Sequence, residues 1–228
     1  MFKRRSYKKE LLDEPVIAKE KLYKNLDELE IINKYLGGHA ASIKGLNALT
    51  NCKPKMVVDI GCGGGDSVKA LANKFGNKVQ LTGIDLKEDC IEYSKKNCEV
   101  YPNVHFRCAD FRSVFSINDH PDVIHASLFF HHFTEDEIVS FLRECDRHKV
   151  IVVINDLERN PVAYYAIKFL TTFLSNSFLV RNDAPLSVLR GFKKDEWKNI
   201  LEKAGIRKYT VQNCWAFRHL IIAYPNEQ

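Results

Sequence analysis

Nowhere in this 228-residue chain do about eighteen apolar residues run without interruption, so no helix in it is long and apolar enough to cross a bilayer. The N-terminus passes from basic residues straight into Glu10 and Asp13, with no apolar stretch of the kind a secretory leader carries. Cysteine pairing is also missing. The seven cysteines (Cys52, Cys62, Cys90, Cys98, Cys108, Cys145 and Cys214) include no C-x-x-C, their number is odd, and no histidine pair stands near two of them at zinc-finger spacing. A disulfide framework and structural zinc are therefore not expected, and no metal is. We expect a reducing, cytoplasmic setting.

Charge of one sign is scarce once its position is taken into account. The 34 Lys and Arg against 29 Asp and Glu leave +5 and a pI near 8.7, values that invite a nucleic acid or an anionic membrane as partner. The first nine residues, MFKRRSYKK, hold five basic groups and no acid, so the other 219 carry 29 of each sign. The excess belongs to the tail, which we expect to be mobile and outside the chemistry. With 45% apolar and 28% charged residues the chain is of ordinary globular composition, which excludes disorder, collagen and coiled coil. Its length suffices for one full core plus a small extension.

Leu22, Leu26, Leu29, Ile32 and Leu36 recur at three- and four-residue spacings, and Gly37-Gly38 follow as a stop, which predicts a helix over 20–36. From residue 55 on, short β-rich runs alternate with helical stretches: MVVDI, a helix over 67–75, VQLTGI, a helix over 88–100, VHF, then DVIHAS. A helix over 135–147 leads into KVIVVIND, and one over 194–204 closes at Gly205. Strands alternating with helices mean crossover units and a parallel sheet covered on both faces. The last two runs, YTVQ and FRHLIIAY, are too close together for a crossover and must pair as a hairpin. The predicted fold is α/β, a Rossmann-like, mostly parallel sheet with one antiparallel strand near its edge. We expect residues 1–50 to form an N-terminal helical extension and 51–228 the main domain, with a lid-like insert at about 160–191.

The most informative stretch is Val57-Val58-Asp59-Ile60-Gly61-Cys62-Gly63-Gly64-Gly65-Asp66-Ser67, a strand running into glycines and then a helix. Glycines permit the tight turn and let a ligand approach backbone N–H groups that a Cβ would shield. A Walker loop needs Gly-Lys-Ser/Thr, and no lysine follows until Lys69. A dinucleotide fingerprint needs glycine at its sixth place, where this chain has Asp66, whose charge at a helix N-terminus repels a pyrophosphate. An ordinary strand-to-helix turn would explain two glycines but hardly four of five positions.

What remains, Asp59-x-Gly61-x-Gly63-x-Gly65, resembles the class I S-adenosylmethionine-dependent methyltransferases over about residues 55–224. The resemblance implies S-adenosylmethionine as cofactor, with Asp59, Gly61, Cys62, Gly63 and Gly65 around its amino-acid end. It also implies Asp85 on the ribose hydroxyls with Leu86 beside it, Asp110 on the adenine amino group with Phe111 against the ring, and Ser127 on the floor of the cleft. Asp85 ends the second strand twenty residues after Gly65, where an acid suits a ribose. The segment ELLDEPVIAKEKLYKNLDELEIINKYLGGH and the insert resemble small bacterial methyltransferases found with polyketide-forming enzymes, whose acceptors are phenolic or alkyl-phenolic. Where quinone-biosynthesis methyltransferases carry Pro-Gly-Gly before the fifth strand, this chain has Asp146-Arg147-His148-Lys149.

Methyl transfer from a sulfonium is an in-line displacement whose leaving group needs no proton, so a base is required only for some acceptors. A phenol-like oxygen is one of these, and histidine is the usual helper. His131 and His132, in Phe129-Phe130-His131-His132-Phe133 directly after the fourth strand, are the candidate catalytic residues; helix capping or a bond to the cofactor are the plainer roles. Asn155 and Asp156 end the next strand, where they orient an acceptor or satisfy a turn. In the insert, PVAYYAIKFLTTFLSNSFLV has Pro161 at a helix start, an apolar face (Ala163, Ile167, Leu170, Leu174) and a polar stripe (Lys168, Thr171, Thr172, Ser175), while RNDAPLSVLRGF reads as a turn-rich link.

The first reading is thus an enzyme methylating oxygen on a small apolar or aromatic molecule. A modifier of RNA or protein is the alternative, weakened by the neutral charge behind the tail and by Ser127-Leu128-Phe129 where an Asn-Pro-Pro-Tyr-like motif would stand. A third is a membrane-surface protein using the tail and the insert on lipid.

Overall fold

The computed structural model of the chain describes residues 2–227 apart from 50, 51, 53 and 117–119. Seven strands, β1 (Met56–Ile60), β2 (Gln80–Asp85), β3 (Val104–Cys108), β4 (Val123–Ser127), β5 (Ile151–Leu157), β6 (Lys208–Cys214) and β7 (Arg218–Tyr224), form one sheet in the order β3-β2-β1-β4-β5-β7-β6. β1 to β5 are mutually parallel, and β7 runs antiparallel to both β5 and β6. The expected α/β class and the hairpin at the edge both hold. The order reverses between β1 and β4, so the crevice beyond their carboxyl ends is where an open α/β sheet receives ligands.

Period-two alternation sorts the sheet's residues onto two faces. Val58, Ile60, Val152, Ile154, Ile221 and Ala223 pack with α5 (Glu135–Arg147) and α8 (Lys194–Ala204), where Leu142, Trp197 and Leu201 are buried. Val57, Val153, Leu220 and Ile222 pack on the other face with α2 (Gly38–Asn47), α3 (Asp66–Phe75) and α4 (Glu88–Asn97), through Leu46, Val68, Leu71 and Ile91. Each such aliphatic side chain contributes about 1.5–3 kcal/mol of burial. α5 begins at Thr134, whose hydroxyl accepts from the Glu137 N–H while the Glu137 carboxylate accepts from the Thr134 N–H, the reciprocal cap of a Thr-x-x-Glu sequence.

α1 (Lys19–Tyr35) stops at Gly37, as expected, where the chain turns at φ 76°, but Gly38 then opens α2, a helix not foreseen. Three expectations need correction. RNDAPLSVLRGF is not a turn-rich link. It lies largely within α7 (Phe178–Arg190), which tolerates Pro185 because its flanks, Leu179, Val180, Leu186 and Val188, are buried against neighbours. α6 (Pro161–Leu174) is capped by Asn160, as Pro161 implies, but its two sides differ from the sequence reading: Thr171 and Ser175 are buried, whereas Val162, Tyr165, Phe169, Phe173 and Leu174 are exposed.

The third correction concerns the tail. Arg5 is 9% exposed, and its guanidinium donates to the carbonyls of Arg190 (2.7 Å), His131 (2.9 Å) and Phe133 (3.1 Å) while lying 3.7 Å over the Phe192 ring. The Ser6 N–H donates to Leu189 O, and Phe2 O accepts from Arg159. Of the five basic groups only Arg5 is taken inside, and it draws residues 2–13 across the molecule. The expected division between residues 50 and 51 lies outside the described residues.

Candidate active site

Beyond β1 the chain turns at Gly61 (φ 65°), Gly63 (φ 51°) and Gly65 (φ 75°), a backbone that L side chains rarely adopt. A Cβ at Gly61 would stand 2.0 Å from the Phe129 ring, whereas one at Gly63 would meet nothing closer than Leu26 at 3.8 Å and would project into open space. That space is a cavity of about 250 Å³ lined by Asp59, Gly61, Cys62, Gly63, Asp85, Ser127 and Leu128, among others. It adjoins one of about 190 Å³ lined by Gly61, Asp85, Leu86, Asp110, Phe111 and Phe129. The residues expected to hold a cofactor are therefore together, with one exception. Gly65 lines neither cavity; it packs on Ser94 and Phe106 and starts α3.

The carboxylates around this cleft have different partners. Asp85 accepts from the Gly63 and Lys87 N–H groups, 2.9 Å each, and burial, only partly offset by these bonds, raises its pKa. Asp59 is sealed beneath the loop, its Oδ1 2.6 Å from His125 Nδ1, and His125 Nε2 lies 2.9 Å from Ser42 Oγ. This serine, histidine and aspartate line up like a hydrolase relay. Yet Ser42 and His125 are wholly buried, and Asn155 Nδ2 stands 3.3 Å from the same hydroxyl, so the relay is a structural pin between α2 and the sheet. Asp66 meets Asn33 Nδ2 and His39 Nε2 at 2.9 Å each; burial opposes its charge, but those partners hold its pKa below the usual carboxylate value. An anion thus sits at the start of α3, as the rejection of a pyrophosphate site required.

A second cavity, about 290 Å³ and mostly apolar, lies beside the first and shares Leu12, Leu29, Leu128 and His132 with it. Its walls are α1 (Leu29, Ile32, Leu36), α6 (Ala163, Ile167, Leu170) and α7 (Val180, Ala184, Val188). Leu128, between the cavities, has φ 54°, a strained backbone for a branched side chain. Polar groups reach this cavity from Glu10, His131, His132 and Arg218. His131 Nδ1 lies 2.7 Å from Asp156 Oδ1, and the His131 N–H donates to Asp156 Oδ2 at 3.0 Å. Burial alone would depress the imidazole's pKa, but Asp156 and Glu10 outweigh it and raise it to about 9. His132 Nδ1 stands 2.8 Å from Asp13 Oδ1. Arg190 donates to His131 O and His132 O and pairs with Asp13 at 3.2 Å.

His131 and His132 are thus brought to the meeting of the two cavities, and Asp156 is there through His131. Asn155 is not: its amide donates to Gly38 O and Ser127 Oγ behind the wall. Sequence reasoning missed Glu10, Asp13 and Arg190. Their only signal was that the acids follow a basic run with no helix of their own. Arg218 was missed too. It is buried, bonded to Leu36 O and Asn33 Oδ1, and burial lowers its pKa to about 10.

Residues 57–149 match the methyltransferase domain family. The strand order and the glycine cleft agree with that match, which covers the stretch from β1 to the end of α5. Among curated relatives, 3'-hydroxy-N-methyl-(S)-coclaurine 4'-O-methyltransferase 2 of Papaver somniferum is 25% identical over 88% of this chain and 55% of its own length. The chain therefore spans about half the length of that relative. Carboxy-S-adenosyl-L-methionine synthase of Helicobacter pylori (strain HPAG1) is 23% identical over 76% of each chain. Among solved structures, the plantazolicin methyltransferase BpumL in complex with SAH superposes with a TM-score of 0.69 at 18% identity, covering 94% of this chain and 92% of that one. At that identity the likeness speaks for the fold. Among the described residues no helix is long and apolar enough to cross a membrane.

Proposed function

We propose that this chain transfers a methyl group from S-adenosylmethionine to an oxygen of a small apolar or phenolic acceptor. The observation that carries the reading is the apolar cavity walled by α1, α6 and α7, which shares Leu128 and His132 with the cleft at the glycine loop. When bound, S-adenosylmethionine supplies an electrophilic methyl on a sulfonium. Asp59, Gly61, Cys62 and Gly63 would surround its amino-acid end, Asp85 and Leu86 its ribose, Asp110 and Phe111 its base, with Ser127 beneath. Gly65 contributes by turning the loop. Asp85 keeps lone pairs for hydroxyl donors after accepting its two backbone N–H groups. The apolar walls exclude water and hold the acceptor in one orientation, which for an in-line displacement is a large part of the rate enhancement.

His131 and His132 are the groups we assign to activating the acceptor hydroxyl, with Glu10 between them. In this reading residues 1–50 are an extension that completes both cavities, 51–228 are the methyltransferase domain, and 160–191 are its lid. The curated relative from Papaver somniferum is named as an O-methyltransferase, which agrees with an oxygen acceptor. Modification of RNA or protein fits less well, because the polar groups at the cavity are enclosed by helices and Arg5 is spent inside the fold.

The test is methyl transfer from labelled S-adenosylmethionine to a panel of phenols and alkyl-phenols, with total RNA and an unfractionated protein extract in parallel. A methyl ether formed on a phenol supports the proposal, and labelling confined to RNA or polypeptide refutes it. His132→Ala should lower kcat by about 10²–10⁴-fold while calorimetric affinity for S-adenosylmethionine stays near wild type. Unchanged turnover in both His131→Ala and His132→Ala removes the histidines from the mechanism.

A further inference from the structure

Glu10, from the N-terminal segment, and His131 and His132, from the turn after β4, each bring one ligand atom to within 4.8 Å of the other two. His131 has Asp156 on Nδ1, and its Nε2 faces Glu10 Oε1 at 3.5 Å. His132 has Asp13 beside Nδ1, and its Nε2 faces Glu10 Oε2 at 3.9 Å. His131 is thus hydrogen-bonded to a carboxylate on Nδ1, His132 has one close to Nδ1 without hydrogen-bond geometry, and both turn the other nitrogen to the same acid. That is how metal-ligating histidines are held by their outer partners. Glu10 is 3% exposed, yet its Oε1 has no hydrogen-bond partner, and an unpaired carboxylate oxygen in such a place is costly. Arg190 Nε is 3.7 Å from that oxygen, but its N–H groups are committed to the carbonyls of His131, His132 and Lys8 and to Asp13.

We infer that Glu10, His131 and His132 bind one divalent first-row transition cation, of the zinc class, with an open coordination position toward the apolar cavity that all three line. Two ligand atoms each about 2.0–2.1 Å from a tetrahedral ion lie about 3.3 Å apart, so the contacts of Glu10 with the two imidazoles, at 3.5 and 3.9 Å, need to contract by a few tenths of an ångström, and the set as a whole, now within 4.8 Å, by up to about 1.5 Å, which side-chain rotation supplies. Two nitrogens and one oxygen suit that class better than magnesium or calcium, which favour oxygen throughout. No local pattern announces it, because the acid comes from a segment far removed along the chain from the histidine pair.

What the ion does in catalysis rests on the acceptor reading above. A hydroxyl at the open position releases its proton to water more readily. Its oxygen then forms the bond to the methyl carbon as the carbon–sulfur bond breaks, leaving a neutral thioether. The site itself does not depend on that reading.

The full chain, stripped with a chelator, is titrated with Co²⁺ and followed by visible absorption and elemental analysis. We expect one equivalent per chain, weak d–d bands of a nitrogen and oxygen site, and no thiolate-to-cobalt charge transfer. Glu10→Gln should abolish uptake, Asp13→Asn should weaken it about 10- to 100-fold, and Asp85→Ala should leave it unchanged. No stoichiometric uptake, thiolate bands, or wild-type uptake by Glu10→Gln overturns the inference. If Glu10→Gln loses its cooperative melt, Asp13→Asn decides, and unchanged affinity there overturns the site. Cobalt bound at this site by a chain that methylates no phenol upholds the metal and removes the acceptor reading; phenol methylation without cobalt binding does the reverse.

Discussion

Arg5→Ala should destabilise this protein far more than any other substitution in the basic N-terminal run. The guanidinium donates to three carbonyls, at 2.7, 2.9 and 3.1 Å, and lies 3.7 Å over Phe192. Hydrogen bonds to a charged group are worth about 1.5–3 kcal/mol each, and the cation–ring contact about 0.5–2. Those gains are offset by the cost of taking the guanidinium out of water, which also lowers its pKa. Removing the side chain forgoes the gains and leaves the carbonyls of Arg190 and Phe133 without this donor, while His131 O keeps Arg190; two unpaired buried acceptors at about 1–3 kcal/mol each, with the lost ring contact, come to about 3–5 kcal/mol. For a chain of this size that is a drop of about 6–20 °C in Tm if the segment unfolds with the rest. If residues 2–13 detach alone, the melt moves less and trypsin cuts at Lys8 and Lys9 much faster. Arg4→Ala, an exposed neighbour, should stay within about 0.5 kcal/mol of wild type. Melting curves and timed trypsin digestion of both variants check this. An Arg5→Ala protein that melts and digests like Arg4→Ala refutes the seating of the segment.

Asp85→Ala should abolish calorimetric binding of S-adenosylmethionine with little loss of fold, since the acid lies at the cleft and not in the core; unchanged affinity would sink the assignment. Ala166→Phe, on the α6 wall of the apolar cavity, should raise KM for the proposed acceptor at least tenfold (about 1.4 kcal/mol) without altering cofactor affinity, and an unaltered KM would place the acceptor elsewhere. Asp66 has its folded pKa held below its ordinary 3.8, so the stability it brings is complete above that pH and is lost as pH falls through the lower folded value. The urea-unfolding gap between wild type and Asp66→Asn should therefore narrow toward acid, and a gap independent of pH would contradict the ion-pair account.

What was legible in the sequence was whatever is written locally. The strand-glycine-helix run at 56–75, the acid closing β2 and the hairpin after α8 are patterns of neighbours, and the structure reproduces them within a residue or two. α2 was hidden because Gly37 and Gly38 differ in role: the first turns with positive φ and the second begins a helix. α7 was hidden by Pro185 and by Asn182-Asp183, which favour turns until burial of the flanking leucines and valines overrides them. Asp183 accepts the N–H groups of Leu11 and Leu12, a contact no local pattern announces. The same holds for Glu10 with His131 and for Arg5 with Arg190. In each case counting charges locates the group but not its partner, because the partner is chosen by tertiary folding.

The seat of Arg5 also orders events in time. Its carbonyl partners belong to residues 131, 133 and 190, so the segment that leaves the ribosome early has nothing to dock on until most of the chain has followed. The sheet must be substantially assembled, and α7 in place, before Glu10 and Asp13 can reach the histidines. Until then the greasy interior walled by α1, α6 and α7 stands open to other chains, and chaperones would find their handle there. Completion of the polar centre is thus the closing act of folding, and a molecule halted just short of it would look native by its sheet yet lack the groups we assign to catalysis.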